Sequence, residues 1–139
     1  MLDESATEVG AAVRDVVRLR LPAAGAYLSV LRTATAGLAA RMDFTLEEIE
    51  DLRIAVDEAC AMLLPDAAPG AELSCEFELS GDDFRISVSV PTTTGTEPAR
   101  DTFAWTVLSA LAGSVSSHAS AGGTVCIQLH KRRAEARVA

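Results

Sequence analysis

The chain has 139 residues, 49% of them hydrophobic and 23% charged, with a net charge of −8. That length fits one domain, which buries roughly two-thirds of its unfolded surface and needs no disulfide or metal staple. The acidic balance, with a pI near 4.7, argues against nucleic acid or an anionic membrane as the main partner, since phosphate binding wants a basic face, and it permits a basic protein partner.

Residues 1–14 are small and polar without a firm period and read as a flexible leader, and the start, Met1-Leu2-Asp3-Glu4-Ser5, lacks the apolar stretch of a signal peptide. Residues 15–21 end in an apolar/charged alternation that predicts a half-buried strand closed by Pro22. Residues 24–40 read as a helix whose apolar stripe is Tyr27, Leu31, Ala34 and Leu38. Thr45 with Glu48 predicts a capping box, flanked by Phe44 and Ile49 as a hydrophobic staple. The helix it starts runs from Leu46 to about Leu64, where Pro65 stops it, with Ile49, Leu52, Val56, Cys60 and Leu63 as its stripe. Residues 72–79 and 84–90 alternate strictly and predict a hairpin turning at Ser80-Gly81-Asp82-Asp83. Residues 91–99 read as a loop, 101–112 as a helix, and 124–129 as a last strand after Gly122-Gly123. The domain is thus expected over 15–131, followed by a basic, solvated tail over 132–139. Strands beside grouped helices predict an α+β two-layer sandwich: an antiparallel or mixed sheet of four or more strands with three helices on one face.

No run of 18 apolar residues occurs, so no membrane-spanning helix is expected. Three cysteines, Cys60, Cys75 and Cys126, sit in apolar runs and read as buried free thiols of a reducing cytoplasm. No histidine accompanies them, which argues against a nucleophilic cysteine. His118 and His130 have no carboxylate or cysteine pair at ligand spacing, so no metal site is expected. Trp105, the only tryptophan, reads as a core residue.

The run Leu52-Arg53-Ile54-Ala55-Val56-Asp57-Glu58-Ala59-Cys60 holds the strongest candidate for chemistry. Glu58 lies late in an amphipathic helix, off its apolar stripe, where a carboxylate can act as a general base or be an ordinary solvated side chain. This run, the capping box before it and the element order resemble the anti-sigma-factor serine kinases, bacterial regulators built on the histidine-kinase-like (GHKL, Bergerat) ATP-binding fold. The resemblance covers about residues 17–130. It implies that fold, Glu58 as a vestigial base, and a motif Ser-Glu-Ala-x-x-Asn whose Asn helps hold Mg²⁺. Glu58 and Ala59 match, but the Asn position is Met62, and a thioether is a poor ligand for a hard cation.

The family's second box, Asp-x-Gly-x-Gly, recognises adenine through its Asp; here Val90-Pro91-Thr92-Thr93-Thr94-Gly95 has no acid. The third, a phosphate-cradling Gly-x-Gly, falls on Thr102-Phe103-Ala104-Trp105, whose side chains hinder close backbone approach and bring aromatic bulk near the phosphates. Thr124 matches a pocket-lining position, though strand propensity explains it equally well. The loop over 91–102 is short for an ATP lid.

The resemblance therefore implies an anti-sigma factor with a degenerate kinase site and no, or only weak, ATP and Mg²⁺ binding. It would sequester a stress- or sporulation-type sigma factor, be released by a STAS-type anti-anti-sigma protein, and form a homodimer. An active serine kinase acting on that antagonist is the rival. The resemblance places partner contacts on the first helix, at Arg32 with Leu28, Leu31 and Thr35. Arg32 also reads as a plain solvated arginine, and the acidic stretch Glu47, Glu48, Glu50 and Asp51 either meets a basic partner or is a solvated face.

Overall fold

The structure, a computed structural model, describes residues 14–134. Strand β1 (Arg14–Pro22) leads through a 3-10 turn (Gly25–Tyr27) into helices α1 (Leu28–Arg41) and α2 (Leu46–Leu63). A second 3-10 turn (Leu64–Asp66) precedes strands β2 (Glu72–Ser80) and β3 (Asp83–Pro91), helix α3 (Phe103–Ala112), and strands β4 (Ser114–Ala119) and β5 (Thr124–Arg132). The sheet runs β1-β2-β3-β5-β4, and every neighbouring pair is antiparallel. This is the expected α+β sandwich, with five strands. Among the described residues no helix is long and apolar enough to cross a membrane. Of the leader expected over 1–14, only Arg14 lies within the described residues, and it opens β1.

Strict alternation builds the sheet. Leu73, Cys75, Phe77 and Leu79 of β2 are buried and face Val88, Ile86 and Phe84 of β3 across the ladder, while Ser74, Glu76 and Glu78 point the other way and stay half-exposed. All three helices lie against the inner face and share one core with it. The ten residues Phe77, Phe84, Leu31, Leu52, Leu73, Ile86, Leu108, Ile127, Leu129 and Val56 are among its fully buried side chains, each worth roughly 1.5–3 kcal/mol of transfer free energy. The hairpin turns on two residues, with Gly81 at φ +58, a backbone region that favours glycine.

The strand Ser114–Ala119 has no sequence signal. Its only large apolar residue is Val115, and serines dominate the rest. Pairing makes it a strand: it forms a ladder with β5 from Ser114–His130 to Ala119–Val125, through a turn closed by Ser120 N–H donating to the Thr124 carbonyl at 2.8 Å. Of the basic tail expected over 132–139, residues 135–139 lie outside the described residues, and its start is not a free tail. Arg132 completes β5 opposite Asp83. Arg133 is half-buried, donating to Asp82 Oδ1 at 2.6 Å, so the chain there is fastened to the hairpin rather than simply solvated.

Helix α1 is rotated from the predicted stripe. Leu31, Thr35 and Ala39 are its buried residues, while Tyr27 is 44% exposed and belongs to the preceding turn. Thr35 can enter the core because its hydroxyl donates to the Leu31 carbonyl at 2.8 Å, leaving only its methyl to pack.

Candidate functional site

Helix α2 carries the candidate base. Its start is fixed locally: Glu48 N–H donates to Thr45 Oγ1 at 3.1 Å, and Thr45 N–H donates to Glu48 Oε1 at 2.9 Å. Leu52, Ala55, Val56, Ala59, Cys60 and Leu63 anchor the helix in the core. Glu58 is then left on the flank, half-buried, with no hydrogen-bond or ion-pair partner among the described residues.

A cavity of about 290 Å³ opens where the end of α2, the loop over 92–101 and the start of β5 converge. Met62, Leu63 and Val125 form its apolar side, and Asp66 and Glu97 bring carboxylates. This is the lower edge of the volume range of small-molecule sites. Met62 thus stands in the cavity, while Glu58 and Thr124 are not among its lining residues. Thr124 opens β5 opposite Pro91, and its neighbour Val125 faces the cavity instead. Larger hollows lie elsewhere, such as one of about 470 Å³ at the hairpin end, away from every residue of the boxes.

The groups around this cavity do not fit Mg-ATP. The cavity presents a thioether and carboxylates, where a triphosphate wants cations or free N–H donors. One donor at the N-terminus of α3 is already used: Thr102 Oγ1 accepts the Trp105 N–H at 3.1 Å. That cap consumes a donor that a phosphate would need. The loop over 92–95 is self-satisfied as well. Thr92 Oγ1 donates to the Gly123 carbonyl at 2.7 Å and accepts the Gly95 N–H at 2.8 Å. Gly95 sits at φ +65, with its would-be Cβ 3.5 Å from Gly123 Cα. The expected aromatic crowding takes another form: Phe103 points to solvent at 83% exposure, and Trp105 is buried in the core at 8%.

The sequence also missed a cluster over this site. Ser117 Oγ donates to Glu97 Oε1 at 2.7 Å, Arg100 Nη2 donates to the Ser117 carbonyl and hydroxyl at 3.1 Å each, and the Arg100 guanidinium lies 5.4 Å from the Trp105 ring centroid. The charge pair Glu97/Arg100, at spacing i,i+3, is the one part of it a sequence displays.

The first-helix residues divide. Arg32 is half-exposed, and its Nη1 donates to both carboxylate oxygens of Asp57 on α2, at 2.9 and 3.2 Å. Leu31 and Thr35 are 0% exposed, so they are core residues and present no surface to a partner; Leu28 packs half-buried against the same core. The exposed large apolar residues of the two helices and the turn before them are Tyr27, Val30 and, on α2, Leu46 and Ile54. In the acidic stretch, Glu48 serves the capping box and Glu50 pairs with Arg53 at 2.9 Å.

All three thiols are free and buried. Burial pushes Cys60 and Cys75 up to about 12, and Cys126 is raised as well. Thiols so shifted are poor nucleophiles at neutral pH.

The sheet order, the glutamate-bearing helix and the loop–helix–strand succession after β3 define a histidine-kinase-like (GHKL) domain. A solved structure of the RsbU and RsbW domains of a Mycobacterium tuberculosis protein superposes on 86% of this chain and 32% of that one, with a TM-score of 0.68 and 18% identity. No family model matches the sequence. The anti-sigma-F factor RsbW of M. tuberculosis is 32% identical over 124 residues, covering 85% of this chain and 74% of its own length. The serine-protein kinases RsbW of Bacillus pumilus and B. subtilis are 40% and 35% identical over 80 and 78 residues. The chain belongs to the RsbW family of anti-sigma factors and serine-protein kinases. Its match spans about half the length of the Bacillus relatives.

Proposed function

We propose that this protein is an anti-sigma factor that works by binding rather than by phosphotransfer. It holds an alternative RNA polymerase sigma factor of the stress or sporulation type by direct contact. It releases that factor when a STAS-type anti-anti-sigma protein competes for the same surface. It acts in the cytoplasm as a homodimer, through the domain over residues 15–131, with Arg32 as a contact residue and Glu58 as a vestige of the kinase site. Membership in the family supports the binding role. The observation that carries the loss of kinase activity is Met62 in the cavity at the position of the metal-holding Asn, beside an α3 N-terminus capped by Thr102. The rival reading, an active ATP-dependent serine kinase that phosphorylates the anti-anti-sigma factor, draws on the retained Glu58.

Two measurements test this. A tagged pull-down from the native bacterium, read by mass spectrometry, should recover a sigma factor in near-stoichiometric amount, and recovery of no sigma factor would sink the binding role. Thermal unfolding should be unmoved by millimolar Mg-ATP. A ligand at 100 times its dissociation constant stabilises by about 2.7 kcal/mol, so a clear upward shift would favour the kinase.

A further inference from the structure

We propose that the segment Glu97–Asp101 is a lid that the chain fastens shut with its own side chains, so that closure over the site requires no ligand. This goes beyond the binding role proposed above and stands independently of which partner is bound.

The fastening has two ends. Ser117 is a buried serine on the helix-facing side of β4, opposite Ile127. A buried hydroxyl needs a partner, and Ser117 finds it outside its own strand, donating to Glu97 at 2.7 Å. Arg100 closes the circuit by donating to both oxygens of Ser117 at 3.1 Å and to Glu97 at 3.4 Å, while its guanidinium lies over Trp105. One side chain thereby ties the loop to the edge strand and to α3. At the other end, Thr93 N–H donates to the Asp66 carbonyl at 2.9 Å, and Thr92 is bonded twice to Gly123. Pro98, between Glu97 and Arg100, has a fixed φ and stiffens that end of the span.

Lids that cover phosphates are commonly ordered by the ligand itself, through charge on the bound group. Here the charges that order the lid, Glu97 and Arg100, are both its own. Glu97 also lines the cavity. The latch therefore holds the Glu97 carboxylate on the cavity wall, engaged by Ser117 and Arg100. The segment is thereby a fixed part of the scaffold and braces the short strand β4.

Hydrogen exchange of the full chain tests this, with Trp105 as an internal reporter, since it is the only tryptophan. Arg100→Ala should raise amide exchange over β4 (Ser114–Ala119), the strand the latch braces, about tenfold and increase acrylamide quenching of Trp105, with the exchange of β2 and β3 unchanged. Glu97→Gln, a milder change at an exposed site, should raise exchange over the same strand by a smaller factor, and Arg100→Lys should recover only part of the protection because lysine lacks the fork. Wild-type exchange over 96–101 should be the same with and without millimolar Mg-ATP. Exchange in both Arg100→Ala and Glu97→Gln within twofold of wild type would overturn the latch. Fresh protection of the wild-type lid by Mg-ATP would overturn ligand-free closure. A thermal shift with Mg-ATP that leaves lid exchange unaltered would instead count against the loss of nucleotide binding and leave the latch standing.

Discussion

Arg32→Ala separates a fold role from a contact role, because the two differ in size. Within the fold, Arg32 makes one ion pair, with Asp57, and the two side chains are 35% and 36% exposed. A pair that open to water contributes about 0–1 kcal/mol. Its loss should lower the melting midpoint by no more than about 4 °C in a domain of this size. A contact residue is worth more: truncating an arginine anchor at an interface costs about 2 kcal/mol or above, which is roughly 30-fold in Kd. The assay is calorimetric titration of the captured sigma factor into each variant, beside a thermal melt of the variant alone. Asp57→Asn is the control, since it breaks the same pair but leaves the guanidinium in place. The expected outcome is a loss of about 30-fold for Arg32→Ala, a much smaller change for Asp57→Asn, and similar small drops in melting point for both. An Arg32→Ala affinity within threefold of wild type would remove Arg32 from the interface. Equal affinity losses in the two variants would show that the ion pair, not the arginine, is what matters.

The remaining predictions rest on local features. Thr45→Ala removes the hydroxyl end of the capping box and should cost about 1 kcal/mol in urea unfolding with an unchanged slope; a cost under about 0.3 kcal/mol would mean α2 is positioned by packing alone. With burial pushing Cys60 and Cys75 up to about 12, the native protein should react with an aromatic disulfide reagent only slowly, and all three thiols should appear on unfolding; a fast native phase of two equivalents would contradict the buried placement. The hydrogen bond with His130 holds Asp83 below its ordinary 3.8, and the hydrogen bond from Ser117 holds Glu97 below its ordinary 4.5. Both groups bind protons more weakly folded than unfolded, so their contribution is present above pH about 4.5 and is lost as pH falls through the folded values. Stability should decline below pH 4, and less steeply in Asp83→Asn; parallel curves for the variant and wild type would show that Asp83 does not contribute.

What could be read from the sequence was local or periodic. Residues 72–79 and 84–90 alternate without a break, and a half-buried sheet face demands that pattern. The capping box needs only residues three apart, so Thr45 and Glu48 declare it. Features made by distant pairing were invisible. Strand β4 exists because β5 supplies its ladder, not because Ser-Val-Ser-Ser-His-Ala favours extension. The face of α1 was misplaced because Thr35 counts as polar until its hydroxyl is seen bonded back to Leu31. At the site, motif spacing located Glu58 and the Met62 exchange, and the structure adds that only Met62 lines the cavity. The latch was beyond reach for the same reason as β4: Glu97 and Ser117 are 20 residues apart and meet only once the sheet has formed.

The several departures from a nucleotide site do not act through one another, and this makes Met62→Asn informative. Asparagine at 62 would return an oxygen ligand to the cavity in place of the thioether. It would not uncap α3, where Thr102 still holds the Trp105 N–H. It would not supply an acid within Pro91–Gly95 to recognise adenine, nor displace Glu97 from the cavity wall. A magnesium ion binds such sites chiefly through the phosphates it accompanies, so a ligand without held phosphates gains little. Met62→Asn should therefore show no stabilisation by 1 mM Mg-ATP, which corresponds to a Kd above about 10 mM and a free-energy gain below about 0.1 kcal/mol. A gain of about 2.7 kcal/mol, the value for a ligand at 100 times its Kd, would mean that the thioether alone had blocked the site. The Thr102 cap and the latch would then have to yield readily to phosphate, and the chain would be one substitution away from the nucleotide-binding members of its family.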